Sequence, residues 1–171
     1  MIIGLCGASG RIGYPLFKYL QAKKHKVLGT YCNGSRNNPT HQLVRYDLRE
    51  DPIDFFDKCD CVILAAAYCN TPFCENNKLE AYWLNVYRTK ELLQHLSDIG
   101  MPTLFVSSVA AVENLDTVYG QYKRIVERYI KSAGLKVEYI RPGKTGPENV
   151  GELCEKIYKI IKPWSREKAK V

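Results

Sequence analysis

The chain has 171 residues, of which 46% are apolar and 25% are charged, a composition typical of one globular domain. No apolar run reaches the ~18 residues that a transmembrane helix needs, and no basic region precedes the short apolar start, so we expect neither a membrane span nor a secretory signal. The net charge is +7, but the basic residues are scattered, and we interpret them first as solvated surface.

Apolar runs alternate with helical patterns along the whole chain. We predict strands at 1–6, 27–31, 43–46, 61–67, 103–107 and 137–141, and helices at 11–22, 79–97, 119–133 and 148–161. Strands that alternate with helices predict a parallel sheet covered by helices on both faces. We place one domain at residues 1–162 and expect residues 163–171 to form a flexible tail.

The cysteines carry no sign of a metal site. They include no CxxC pair and lack zinc-ligand spacing, so we expect no metal. We interpret them as small buried side chains in a reducing cytoplasm, which is where we expect the protein. The seven are Cys6, Cys32, Cys59, Cys61, Cys69, Cys74 and Cys154.

A glycine-rich turn separates the first strand from the first helix. Its sequence GASGRIG has glycine at Gly7, Gly10 and Gly13. Glycine there permits a tight turn and close backbone approach to a pyrophosphate, and the helix N-terminus supplies free N–H groups. We therefore predict that Gly7, Ser9, Gly10, Arg11, Ile12 and Gly13 bind a dinucleotide in a Rossmann-like, doubly wound, three-layer α/β domain. The alternative is a tight turn that binds nothing.

The end of the second strand bears on the choice of cofactor. An NAD site usually has an acidic residue there for the ribose 2′-hydroxyl, but residues 30–36 (TYCNGSR) contain none. Arg36, helped by Ser35, Asn33 or Arg11, is suited to a 2′-phosphate because a guanidinium binds phosphate bidentately. We favour NADP over NAD. The alternative for Arg36 is an exposed loop charge.

A tyrosine and a lysine lie four residues apart at the start of the helix predicted at 119–133. This spacing puts Tyr119 and Lys123 on one helical face, where the cation is expected to lower the tyrosine's pKa and prepare it as a proton donor. Ser107 and Ser108 end the fifth strand, and a hydroxyl there is suited to hydrogen-bond the same substrate carbonyl. The pattern YxxxK occurs often by chance, and by itself it favours an amphipathic helix with an exposed tyrosine and lysine.

The motifs taken together resemble the extended short-chain dehydrogenase/reductases, and most closely their dTDP-4-dehydrorhamnose reductase-like branch. The resemblance covers residues 1–147. It rests on the glycine turn, Tyr46-Asp47-Leu48, Ala65-Ala66-Ala67-Tyr68 with Glu75, Asn85-Val86, Ser107-Ser108, Tyr119-Gly120-x-x-Lys123 with Glu127, and Arg141-Pro142-Gly143.

The resemblance implies roles for individual residues. Tyr119 would be the general acid, Ser108 would orient the carbonyl, and Lys123 would bind the nicotinamide ribose and tune Tyr119. Asp47 and Leu48 would flank the adenine, Ala65, Ala66 and Ala67 would line the ribose and pyrophosphate path, and Asn85 would shape the site. Asp47 has the alternative of capping its own turn, and Asn85 that of an ordinary buried polar group.

The C-terminal part departs from this family. Members carry a substantial region after the sixth strand that closes over a sugar nucleotide, whereas residues 141–147 lead here into one amphipathic helix. We expect a wetter and less preorganised substrate site as a result. The family's dimers pair the helices that hold Asn85 and Tyr119, which implies a homodimer.

Three functions remain in competition. The first is an NAD(P)-dependent reductase acting on a keto-sugar nucleotide or similar small carbonyl compound. The second is a non-catalytic module that binds or senses NAD(P). The third, a nucleic-acid binder, rests only on the net charge, the tyrosines and the basic residues of the Tyr119 helix, and we rank it last.

Overall fold

Six parallel strands form one sheet in the computed structural model, which describes residues 1–32 and 42–164. The strands are β1 Ile2–Cys6, β2 Lys26–Tyr31, β3 Val44–Arg45, β4 Cys61–Leu64, β5 Thr103–Val106 and β6 Val137–Ile140. They lie in the order β3-β2-β1-β4-β5-β6, so the winding direction reverses between β1 and β4. The predicted doubly wound, Rossmann-like α/β fold is confirmed.

Strand β4 is shorter than predicted. All four of its residues are buried, as expected for a strand covered on both faces, but it ends at Leu64 rather than at residue 67. The N–H of Ala65 still donates to the carbonyl of Cys6 at 2.9 Å, and beyond it the chain leaves the sheet. Residues 65–67 therefore line the edge of the sheet instead of extending it.

The helices follow the prediction in position and differ in detail. They are α1 Gly13–Ala22, α2 Thr71–Asn76, α3 Lys78–Tyr82, α4 Thr89–Asp98, α5 Ala110–Glu113, α6 Val118–Ser132 and α7 Val150–Ile161, with a 3₁₀ turn at Ile53–Phe56. Sequence periodicity missed the 3₁₀ turn, α2 and α5 because four to six residues are too few to show a helical repeat.

The helix predicted at 79–97 exists but is not a regular α-helix. A π-helical segment, Trp83–Arg88, joins α3 to α4, and we call residues 78–98 the long helix. The wider turn frees the carbonyl of Leu84, which accepts a hydrogen bond from the Thr89 hydroxyl at 2.8 Å. It also brings two consecutive side chains, Asn85 and Val86, into the interior.

Two apolar cores lie on opposite faces of the sheet. One contains Leu16 and Phe17 of α1 and Ile157 of α7, and the other contains Leu92 of α4 and Val126 of α6. The chain thus forms three layers, as predicted. In the part described, no helix is both long and apolar enough to cross a membrane.

The boundary predicted at residue 162 stays a prediction. Trp164, just beyond it, packs against the core on the α1 and α7 side. Residues 165–171, which include most of the predicted tail, lie outside the described residues.

The contact between α5 and α6 requires a glycine. A Cβ at Gly120 would collide with the carbonyl oxygens of Asn114 and Ala110, so α6 approaches the preceding chain through bare backbone. This contact fixes the N-terminal turn of α6, which the Thr117 side chain caps by accepting from the N–H of Gly120 at 3.1 Å.

We expect Gly120→Ala to lower the free energy of unfolding by about 1–3 kcal/mol, because the added methyl overpacks this contact. Gly151→Ala is the matched control: Gly151 lies in α7 with open space around its Cα, so alanine should leave stability unchanged or raise it by up to about 1 kcal/mol. Urea denaturation of both variants checks this, and equal effects would contradict it.

Candidate functional site

Two adjoining clefts lie at the carboxyl edge of the sheet, where the strand order reverses. The β2-side cleft lies among the ends of β1, β2, β3 and β4 and encloses about 730 Å³, and the β6-side cleft lies beside β5, β6 and α6 and encloses about 820 Å³. Gly10, Ala65 and Ala67 line both clefts and join them. A switch point of this kind is where open α/β sheets bind their ligands.

The glycine turn forms the wall between the clefts. Gly7 has a φ of +87°, and a Cβ there would lie 2.7 Å from the backbone nitrogen of Ala66. A Cβ at Gly13 would collide with the carbonyl oxygen of Gly7. The Gly7 N–H donates to Thr30 Oγ1 at 3.1 Å, so the turn is fixed against β2. The backbone of the turn therefore packs directly against the neighbouring backbone, and a side chain at Gly7 or Gly13 would not fit.

All six residues predicted in this turn line a cleft. Gly7 and Ser9 lie at the β2-side cleft, Gly10 at both clefts, and Arg11, Ile12 and Gly13 at the β6-side cleft. The three alanines predicted at the end of β4 line them too: Ala66 lies at the β2-side cleft, and Ala65 and Ala67 lie at both.

An arginine that the sequence analysis missed organises the β2-side cleft. The Arg49 guanidinium donates to both carboxylate oxygens of Asp47, at 2.9 and 2.6 Å, to the Tyr68 hydroxyl at 2.8 Å and to Glu80 at 3.1 Å. The hydrogen bonds from Arg49 to the Asp47 carboxylate hold the pKa of Asp47 well below its usual range. The available signal was the opposite charge of Asp47 and Arg49, two residues apart in a segment that forms a turn.

Asp47 lines a cleft and also caps its own turn, so the capping interpretation is confirmed and its place beside an adenine stays a prediction. Asp47 and Leu48 line the β2-side cleft. Asp47 also caps its own turn, since its carboxylate accepts from the N–H of Arg49 at 3.0 Å. Arg88 and Trp83 of the long helix pin this turn by donating to the carbonyls of Leu48, at 2.7 Å, and Arg49, at 3.2 Å.

Arg36 lies outside the described residues, so its predicted contact with a 2′-phosphate stays a prediction. The last described residue before Arg36 is Cys32, which lines the β2-side cleft. Its thiol lies 3.7 Å from Nη2 of Arg49.

Asn85 does not line the β2-side cleft but binds Tyr68, which does. Its amide accepts from the Tyr68 N–H and donates to the Tyr68 carbonyl, both at 2.8 Å. Only 2% of Asn85 is exposed, and it lies behind the segment 65–68. Asn85 is thus a buried polar group of the long helix, the alternative given above. It acts as a positioning residue that holds the segment 65–68 in place.

Ser108, Tyr119 and Lys123 meet in the β6-side cleft as predicted from sequence. Helix α6 begins there because the Thr117 side chain caps it and the Glu75 carboxylate accepts from the Val118 N–H at 2.7 Å. The Lys123 ammonium donates to the carbonyl of Val106 at 2.9 Å and lies 5.9 Å from the centre of the Tyr119 ring.

The predicted lowering of the Tyr119 pKa is wrong for this structure. Burial raises the pKa of Tyr119 to about 12, and a hydrogen bond with Ser108 offsets only part of that rise. Burial also lowers the pKa of Lys123 to about 8, against the opposing influence of Cys69 and Glu127. The Lys123 cation is buried and held by a backbone carbonyl, and burial is the main cause of the rise in the Tyr119 pKa.

Two of the seven cysteines are not buried. Cys32 is half-buried in the β2-side cleft, and Cys69 is exposed at the β6-side cleft, whereas the other five are buried. The expectation of uniformly buried thiols is wrong at these two positions, because Cys32 follows the last residue of β2 and Cys69 lies between β4 and α2, so both are outside the sheet. Among the described residues, no three metal-binding side chains cluster.

The two serines that follow β5 have different surroundings. The Ser107 hydroxyl donates to buried Glu127 at 2.6 Å, and Arg141 binds the same carboxylate through Nε at 2.9 Å and Nη2 at 2.7 Å. Ser108 lies next to Tyr119 instead. Burial disfavours the Glu127 charge, but the hydrogen bonds from Arg141 and Ser107 leave its pKa below the ordinary value.

Comparisons with known proteins agree with the fold. A sequence model described as the NAD dependent epimerase/dehydratase family matches residues 3–145. A search of curated protein sequences found no significant match.

The chain is similar to several solved structures. Pen from Bacillus thuringiensis superposes with a TM-score of 0.70 at 23% identity, over 82% of this chain and 49% of that one. A hypothetical dTDP-4-dehydrorhamnose reductase from Sulfolobus tokodaii gives 0.69 at 22%, over 84% and 56%. The dTDP-4-dehydrorhamnose reductase from Bacillus anthracis, in complex with NADP, gives 0.70 at 16%, over 95% and 71%. The chain thus spans about half the length of the first two proteins.

We expect Glu127→Gln to lower the free energy of unfolding at pH 7 by about 2 kcal/mol, because it leaves Arg141 without its charged partner. A carboxylate whose folded-state pKa lies below its ordinary value stabilises above about pH 4.5, and that stabilisation is lost as the pH falls through the lowered pKa. The difference between wild type and variant should therefore shrink on acidification from pH 7.

Urea denaturation at pH 7 and in acid measures this difference. Glu155→Gln is the control, because Glu155 forms a fully exposed pair with Lys159 and should change stability little at either pH. A difference for Glu127→Gln that does not vary with pH would contradict the charged network.

Proposed function

The chain belongs to the NAD-dependent epimerase/dehydratase family, and from this premise we propose that it is an NAD(P)-dependent oxidoreductase acting on a carbonyl group. The observation that carries the proposal is the juxtaposition of the glycine turn with Ser108, Tyr119 and Lys123 along one pair of joined clefts. A keto-sugar nucleotide or similar small carbonyl compound is the proposed substrate.

The residues present fit a dinucleotide. The turn at Gly7 and Gly13 leaves bare backbone where a Cβ would collide, and the N-terminus of α1 offers N–H groups to a pyrophosphate. In the proposal, Asp47 and Leu48 flank the adenine and residues 65–67 line the ribose and pyrophosphate path. Lys123 binds the nicotinamide ribose. When bound, the cofactor supplies the hydride that reduces the carbonyl carbon.

Tyr119 holds the proton that the reaction needs. A phenol with a pKa of about 12 stays protonated at neutral pH, so it is ready to donate to a carbonyl oxygen that becomes an alkoxide. Ser108 hydrogen-bonds the same oxygen and orients it. The ammonium of Lys123 lies close enough to stabilise the phenolate left behind.

An exposed apolar face supports the proposed homodimer. Leu79, Tyr82, Trp83 and Tyr87 of the long helix and Ile125 of α6 are all more than a third exposed. Tyr82 packs edge-on against Tyr122 of α6, which makes the face continuous across the two helices. Pairing through this face would bury side chains that water disfavours. The homodimer stays a prediction.

We propose NADP as the preferred cofactor, with Arg36 on its 2′-phosphate. Arg36→Ala should then weaken NADPH binding by about tenfold, the loss expected for a charge-assisted contact, and leave NADH binding unchanged. Titrations that follow nicotinamide fluorescence measure both affinities, and NADH is the internal control. Equal losses for the two nucleotides would contradict the role of Arg36, and a wild-type protein that binds neither would contradict the cofactor site itself.

We expect Tyr119→Phe to reduce turnover by about 10²–10⁴-fold without changing NADPH binding, because only the proton is removed. Tyr122→Phe is the control: its hydroxyl bonds to the carbonyl of Lys78 and lines neither cleft. The assay is NADPH oxidation over a panel of keto-sugar nucleotides and small carbonyl compounds. A wild-type protein that binds NADPH but reduces nothing would favour the non-catalytic binding module instead.

A further inference from the structure

A further cleft, separate from the paired clefts, lies among α5, α6 and the end of β6. We call it the basic cleft. It encloses about 410 Å³, roughly half the space of either paired cleft, and shares no lining residue with them. Its charged lining consists of Arg124, Arg128, Lys131, Arg141 and Glu127.

Three of the cations come from one face of α6. Arg124, Arg128 and Lys131 follow each other at spacings of four and three, so their side chains leave the helix on the same side. Like charges at this spacing repel each other. Over residues 1–32 and 42–164, no ion pair involves any of the three. Glu127 is the one acidic side chain of this lining, and the charge of Lys131 helps to lower its pKa, so the repulsion among the three cations is relieved only in part.

Arg141 adds a cation from the opposite wall, and Glu127 neutralises only one charge. The guanidinium binds Glu127 through Nε and Nη2, and no hydrogen bond is formed by Nη1 within the part of the chain described. The Glu127 carboxylate is occupied by Arg141 and Ser107. Four cations and one carboxylate leave the lining with a charge of +3.

The arrangement is held in place by Tyr139. Its ring lies 5.4 Å from the Arg141 guanidinium and 5.9 Å from the Lys131 ammonium, so one aromatic side chain supports cations from both walls. Converging guanidinium and ammonium groups of this kind are the usual donors to phosphate oxygens.

We infer that the basic cleft binds a phosphate group of a small soluble molecule. Guanidinium groups from two walls match the several acceptor oxygens of a phosphate dianion, and +3 offsets its charge. The lining contains no aromatic side chain on which a base could stack, which separates this cleft from single-stranded nucleic-acid sites. This inference does not depend on the proposed reductase activity, because the two sites share no residue.

The test is calorimetric titration of the full chain with inorganic phosphate at constant ionic strength. We expect saturable binding to the wild type and about tenfold weaker binding to Arg124→Gln/Arg128→Gln, since hydrogen bonds to charged groups are lost. Lys26→Gln/Lys58→Gln is the control with the same change in net charge. Both lysines are exposed and line neither the basic cleft nor the paired clefts, so this variant should bind phosphate like the wild type.

Arg128 is exposed and Arg124 half-exposed, and melting curves verify that each variant is folded. If the double variant melts early, Arg128→Gln alone carries the comparison. Phosphate bound at the glycine turn would be unaffected by these substitutions, so equal affinities in all three proteins overturn the inference. Cleft-dependent binding of anionic lipid vesicles or of a single-stranded oligonucleotide, without saturable binding of phosphate, overturns it as well.

Discussion

The close approach of the β1–α1 turn to the segment after β4 is the constraint on which the site depends. Gly7 and Gly13 allow backbone to meet backbone there, and any side chain would force the turn away from Ala66. That approach joins the two clefts and sets the start of α1. The rest of the site is arranged around it: Asn85 holds the adjacent segment from behind, and Thr30 fixes the turn from β2.

Burial decides the electrostatics of the β6-side cleft. Tyr119 and Lys123 are both withdrawn from water, which favours the neutral form of each, so the phenol and the ammonium move in opposite directions in pKa. Glu127, one turn further along α6, keeps its charge because Arg141 and Ser107 supply hydrogen bonds. Successive turns of α6 therefore carry a protonated phenol at Tyr119, a buried lysine with a lowered pKa at Lys123 and a hydrogen-bonded carboxylate at Glu127.

Sequence reasoning predicted the strands, the long helices and, among the residues that line the clefts, the glycine turn with Ser108, Tyr119 and Lys123, because each leaves a local signature in periodicity or residue spacing. It missed the contacts and pKa shifts that depend on residues distant in sequence but close in space. The Arg49 guanidinium, which binds Asp47, also donates hydrogen bonds to Tyr68 and Glu80, which are distant in sequence. The Tyr119 pKa was misjudged because a four-residue spacing reports a nearby cation but not the loss of water around the ring.

The π-helical segment has a consequence for how this helix is compared with others. A π turn carries one residue more than an α turn, so residues after Arg88 are rotated by about 100° relative to an uninterrupted α-helix. A relative with a regular helix here would align only with a one-residue gap. The extra residue lets Asn85 and Val86 both face inward while Tyr82, Trp83 and Tyr87 stay outside. Losing it would rotate one half of the helix by about 100°, which would turn part of its buried face away from the core.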